Sequence, residues 1–197
     1  MRILSLLILM GVFAACAPTG RRPPADLPAA SVTAAPRPAI TPPSAPWPDE
    51  PKAPPLESDT WLNTQPLSAA QLTGQVRLVE FWTFGCINCV RTIPAARALY
   101  DRYRDRGLIV IGVHSPEFDY ERDLNNVKDA LVRLNVPYPV AIDNDFATWR
   151  AFGNHYWPAL YLIDKRGVIR HTHIGELHID TPDWQKMTAQ IEALLGE

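Results

Sequence analysis

The stretch Val79-Glu-Phe-Trp-Thr-Phe-Gly-Cys86-Ile-Asn-Cys89-Val-Arg-Thr-Ile-Pro94 decides the fold. It begins inside an apolar run, residues 76–82, of the length and composition of a buried strand. It continues into a helix pattern: Ile93, Ala96, Leu99, Tyr100 and Tyr103 recur at helical spacing until Gly107, a helix stop. Two thiols separated by two residues therefore stand where a buried strand hands over to a helix. A sulfur at a helix N-terminus faces unpaired backbone N–H groups and the positive end of the dipole, which favour thiolate, the attacking species. The first helical turn brings the second sulfur within disulfide reach, so attack by Cys86 can be followed by resolution by Cys89. The same spacing is half of a zinc site, but a second cysteine pair is missing. Histidines 114, 155, 171, 173 and 178 could in principle complete a metal site, and a structural disulfide closing so short a loop would add little stability.

Outward from this segment, strand and helix patterns alternate. A helical turn over residues 68–74 precedes the first strand, and residues 108–113 form a second buried strand. Leu124, Val127, Leu131 and Leu134 give a helix stripe, followed by a short strand over 139–142 and a short helix over 146–152 closed by Gly153. This alternation implies βαβ units and a parallel sheet. Residues 159–163 and 168–173 flank the polar turn Asp164-Lys-Arg-Gly167 and predict an antiparallel hairpin on the sheet edge. Thr181 caps a last helix with Pro182 at its first position and Trp184, Met187, Ile191 and Leu194 turned inward. The expected fold class is α/β, with a central mixed sheet flanked by helices.

The N-terminal part differs. Arg2 precedes an apolar run, residues 3–13, too short to span a bilayer permanently, which predicts an export signal over 1–15. Phe13-Ala-Ala-Cys16 resembles the lipobox of bacterial lipoproteins, in which the cysteine is acylated after cleavage before it; an ordinary secretory signal is the alternative. From residue 17 to residue 59 there are 13 prolines and 9 alanines, so a linker is expected over 16–59, with the folded domain over 60–197. Proline-rich chain extends at about 3.1 Å per residue and acts as a semi-rigid spacer. With a formal net charge of −2 and no long basic run, the electrostatic footprint of a nucleic-acid binder is absent.

The quoted segment is similar to the active-site region of thioredoxin-fold proteins, and the likeness extends over about residues 60–197. The nearest resemblance is to exported TlpA-like and ResA-like proteins, and above all to the thioredoxin-like domain of DipZ-type proteins, through the Gly85-Cys-Ile-Asn-Cys89 and Tyr156-Trp-Pro-Ala159 stretches. The resemblance implies a thiol-disulfide oxidoreductase with no cofactor beyond a redox-active Cys86–Cys89 disulfide. It implies that Pro94 bends the active-site helix, that Trp82 supports the site, and that Trp157 and Pro158 form a cis-proline loop offering backbone hydrogen bonds to a substrate chain. Glu80 occupies the family's buried acidic position, where desolvation raises a carboxyl pKa and fits it to take the Cys89 proton. His155 could tune the site, and His171 and His173 are expected to decorate an exposed strand. A peroxidase of this fold would carry proline seven residues and threonine three residues before its reactive cysteine; Thr83 fits, but Val79 holds the proline position. A copper carrier on the same fold is the competing reading. The expected partners are protein dithiols and disulfides and a membrane electron donor of the CcdA/DsbD type, with the protein lipid-anchored through Cys16 and facing the periplasm, the outer membrane favoured by Ala17. The expected direction is reductive, since Ile87 and Asn88 bring no positive charge between the thiols.

Overall fold

A computed structural model describes residues 51–197. Six strands form one sheet in the order β1-β4-β3-β2-β5-β6, from β1 (Trp61–Leu62), β2 (Val76–Trp82), β3 (Leu108–His114), β4 (Val140–Ile142), β5 (Ala159–Ile163) and β6 (Ile169–Ile174). Strands β2, β3 and β4 run parallel, while β5 and β6 form the antiparallel hairpin and β1 adds antiparallel to β4 at the far edge. The helices are α1 (Ala69–Leu72), α2 (Ile87–Tyr103), α3 (Leu124–Leu134), α4 (Ala147–Ala151) and α5 (Pro182–Gly196). The expected mixed sheet flanked by helices is thus the observed one. The two-residue strand β1 had no pattern long enough to be read in advance.

Alternation along β2 decides what the site is made of. Val76, Leu78 and Trp82 point into the larger core, where they meet Cys89, Ile93 and Leu99 of α2 and Trp184, Met187, Ile191 and Leu194 of α5. Glu80 shares their parity and so faces the same side as Cys89. Val79 and Phe81 point the other way and pack with Tyr161, Trp149 and Phe152, Phe81 meeting all three rings edge-on at centroid distances of 5.2–5.8 Å.

The linker expected to run to Asp59 ends sooner, because residues 51–59 lie across the domain. Pro51 accepts from Ile169 N–H and Ala53 donates to the Gly167 carbonyl, both at 2.9 Å, beside the β5–β6 turn. Further on, Glu57 N–H donates to Thr148 Oγ1 and the Ser58 hydroxyl donates to the Ile142 carbonyl on β4. Proline removes donors from this stretch but leaves its carbonyls, the remaining N–H groups and apolar Leu56 to pair with the domain. The expected signal segment, Cys16 and the first part of the expected linker fall outside the described residues.

Candidate active site

Strand β2 delivers the chain to the site and α2 carries it away. Cys86 is the N-cap of α2, half-buried, with no side-chain cap bond, and its Sγ lies 4.0 Å from the Trp157 carbonyl oxygen. Cys89 sits in the first turn of the same helix, fully buried, and its thiol hydrogen-bonds Cys86. Both are free thiols, so this is the dithiol form. Burial pushes the Cys89 thiol far up; the hydrogen bond to Cys86 and the charge of Glu80 push the same way, while the Thr83 backbone hydrogen bond pulls back. The half-exposed sulfur can attack, and the inner one needs help to ionise.

Glu80 faces the same side of the sheet as Cys89. It is wholly buried in the centre of the sheet, paired with Gly112 on one side and Leu160 on the other. The Tyr138 hydroxyl donates to its Oε2 at 2.8 Å, whereas its Oε1 is buried without a hydrogen-bond partner. Burial raises its pKa to about 7, and the Tyr138 bond opposes that rise. A carboxyl with one unoccupied oxygen and an electrostatic influence on Cys89 has the chemistry to exchange a proton. Gly112 makes the arrangement possible: a Cβ there would come within 2.7 Å of Trp82 Nε1 and 3.3 Å of Tyr138 Cε2. Trp82 is itself completely buried beside the site.

The loop before β5 closes the other side. The Trp157–Pro158 peptide is cis, as the resemblance implied. The Trp157 indole N–H donates to the Ser115 carbonyl at 3.0 Å and its ring lies 4.2 Å from that of Trp149, which fixes the carbonyl that faces Cys86. Pro94 lies inside α2 on its exposed side. His155 is exposed, whereas His171 and His173, expected to decorate an exposed strand, are half-buried on β6 because they pair with Leu162 and Leu160 on the face that packs against the larger core. No group of three or more His, Cys, Asp or Glu side chains that could hold a metal forms among the described residues.

Two buried polar residues beside the site went unread in the sequence. Glu121 is fully buried in a single 3-10 turn (Asp119–Arg122), and its oxygens accept from Thr83 Oγ1, Gly85 N–H, Glu117 N–H and Phe118 N–H at 2.6–2.8 Å. His114, considered from sequence only as a metal ligand, lies in the core with Nε2 3.3 Å from Thr83 Oγ1, and burial lowers its pKa to about 4. It packs edge-on to Trp82 and stacks on Phe84. A Glu three residues after Phe118, in a loop between a parallel strand and the next helix, was the only available signal.

The AhpC/TSA family profile matches residues 50–172. Protein DipZ of Mycobacterium tuberculosis is 47% identical over 128 residues, which is 63% of this chain and 18% of that protein. The chain thus spans less than a fifth of the length of its DipZ relatives. The thiol-disulfide oxidoreductase YkuV of Bacillus subtilis is 34% identical over 116 residues, 58% of this chain and 77% of its own length. Among solved structures, a thioredoxin-like superfamily protein superposes with a TM-score of 0.66 at 28% identity, covering 74% of this chain and 97% of the other.

Proposed function

The chain belongs to the AhpC/TSA family, and from that premise we propose that it is a thiol-disulfide oxidoreductase that reduces protein disulfides through Cys86 and Cys89. One observation carries the reading: a half-exposed Cys86 at the start of α2 is hydrogen-bonded to a buried Cys89 that faces the same core as Glu80. Cys86 as thiolate attacks a substrate disulfide, forming a mixed disulfide and expelling one substrate thiolate. Cys89 passes its proton to Glu80, and its sulfur displaces the second substrate thiol from Cys86. The products are the Cys86–Cys89 disulfide and a reduced substrate, two electrons having moved outward. The Trp157 carbonyl and the backbone beside Pro158 hold the substrate strand against Cys86. Pro94 and Trp82 support the helix and the strand that carry the site.

In the same reading the protein is exported and held on the periplasmic side by acylated Cys16. A membrane donor of the CcdA/DsbD type re-reduces the disulfide across the reach of the Pro/Ala-rich segment. No helix of the described residues is long and apolar enough to cross a membrane. Equilibration of the domain with glutathione and dithiothreitol buffers tests the direction of electron flow. The expected midpoint lies near about −270 mV, and a value above about −180 mV would make the protein an oxidant or isomerase instead.

A further inference from the structure

We propose that Glu121 is a positioning residue for the redox centre: by holding Thr83 and Gly85 from behind, it presents the Thr83 backbone N–H to the Cys89 sulfur. The inference rests on the exchange mechanism proposed above and concerns its resolving step. Thr83 is the node. Its backbone hydrogen-bonds Cys89, the one contact there that favours the ionised sulfur over the thiol. Its hydroxyl donates to Glu121 Oε1 at 2.6 Å. A hydroxyl has a single proton, so the 3.3 Å contact with His114 Nε2 must be an Nε2–H donating to Thr83 Oγ1. The tautomer of His114 is thereby set by the hydrogen-bond network.

Glu121 holds the loop at a second point, accepting Gly85 N–H at 2.6 Å, one residue before Cys86. Its other oxygen takes Glu117 N–H and Phe118 N–H at 2.6 and 2.8 Å, so the carboxylate is fixed to its own loop. Four N–H and O–H donors converge on one buried carboxylate, and bonds of that charged kind are about twice as strong as neutral ones. The two loops are fitted to each other: a Cβ on Gly85 would stand 2.4 Å from Glu121 Oε1 and 2.6 Å from the Tyr120 hydroxyl. The Thr83–Gly85 segment is held on both sides of Phe84, and with it the direction of the Thr83 N–H. Donors fixed in place before charge develops lower a barrier without reorganising as the reaction proceeds.

Stopped-flow reaction of the reduced protein with an aromatic disulfide that releases a coloured thiolate separates two steps. Attack by Cys86 releases the first thiolate and leaves a mixed disulfide. Attack by Cys89 on Cys86 releases the second and closes the intramolecular disulfide. Glu121→Gln has one acceptor oxygen left and must lose two of the four bonds, and Thr83→Val removes the hydroxyl without changing shape. We expect both to slow the second release by about tenfold or more and to move its pH profile upward, with the first release within about threefold of wild type. Thr83→Ser keeps the hydroxyl and should stay within about twofold of the wild-type rate. An unchanged second phase with an unmoved pH profile in Glu121→Gln and Thr83→Val overturns the proposal, as does equal slowing of both phases without a pH shift. Should Glu121→Gln fail to fold, the Thr83→Val and Thr83→Ser pair decides. Absence of any second release from the wild-type protein would instead remove the exchange mechanism itself.

Discussion

Glu80→Gln should change how stability depends on pH, and the structure sets the size of the change. Burial in the sheet centre raises the carboxyl from 4.5 to about 7. At about 1.4 kcal/mol per tenfold change in proton affinity, that amounts to about 3 kcal/mol. Because the folded pKa is the higher one, this stability is fully present below about pH 4.5 and is lost as pH rises through about 7. His114 works in the opposite sense: its pKa falls from 6.5 to about 4, so its contribution is present above about pH 6.5 and is lost as pH falls through about 4. The two slopes oppose each other in the wild-type protein, but the histidine is common to both chains and drops out of their difference. Glutamine does not titrate and keeps an acceptor for the Tyr138 hydroxyl. The wild-type protein should therefore lose about 2.5 kcal/mol relative to Glu80→Gln between pH 5 and pH 8. With an m-value of about 2 kcal/mol/M, urea unfolding midpoints should diverge by about 1.2 M over that interval. Midpoints that move in parallel would refute a buried, titrating Glu80. The variant should also hold its mixed disulfide longer, because the Cys89 proton has lost its acceptor.

Mild alkylation of the reduced protein should label half-exposed Cys86 before buried Cys89, read by peptide mass; earlier labelling of Cys89 would reverse their roles. Gly112→Ala should destabilise the domain by about 1–3 kcal/mol in urea, since its methyl would stand 2.7 Å from the Trp82 indole nitrogen. Wild-type stability would show that the indole moves aside freely. Cys16→Ala should shift the protein from membranes to the soluble exported fraction on fractionation, and retention in membranes would exclude the acyl anchor.

What could be read in advance was whatever a repeating pattern writes along the chain. The apolar run of β2, the stripe Val127–Leu131 of α3, and Thr181 followed by Pro182 at the start of α5 each announce themselves within a few residues. The cysteine pair was legible because its spacing has few meanings. Glu80 needed two steps: an acidic residue inside an apolar run, and a family in which that position is buried. Glu121 had no such marker. An acid among Asp119, Tyr120 and Arg122 reads as loop surface, and only the three-dimensional meeting of two loops turns it inward. His114 closes an apolar strand and gave no sign that Thr83 would reach it. Residues 51–59 were hidden by proline, which signals extended chain without saying whether anything lies beside it.

The two ends of the sheet have different duties. Pairing of Phe81 with Ala159 and of Arg77 with Ile163 sets the cis-proline loop beside the sulfurs and the β5–β6 turn at the opposite end of β2, about 20 Å away for a seven-residue strand. Pro51 and Ala53 join the fold at that far turn. The chain therefore enters the described fold at the pole opposite its reactive sulfur. A pull applied at Pro51 would load the hairpin turn first, at the pole remote from the loops that Glu121 holds, and would leave the cysteine end of the sheet undisturbed.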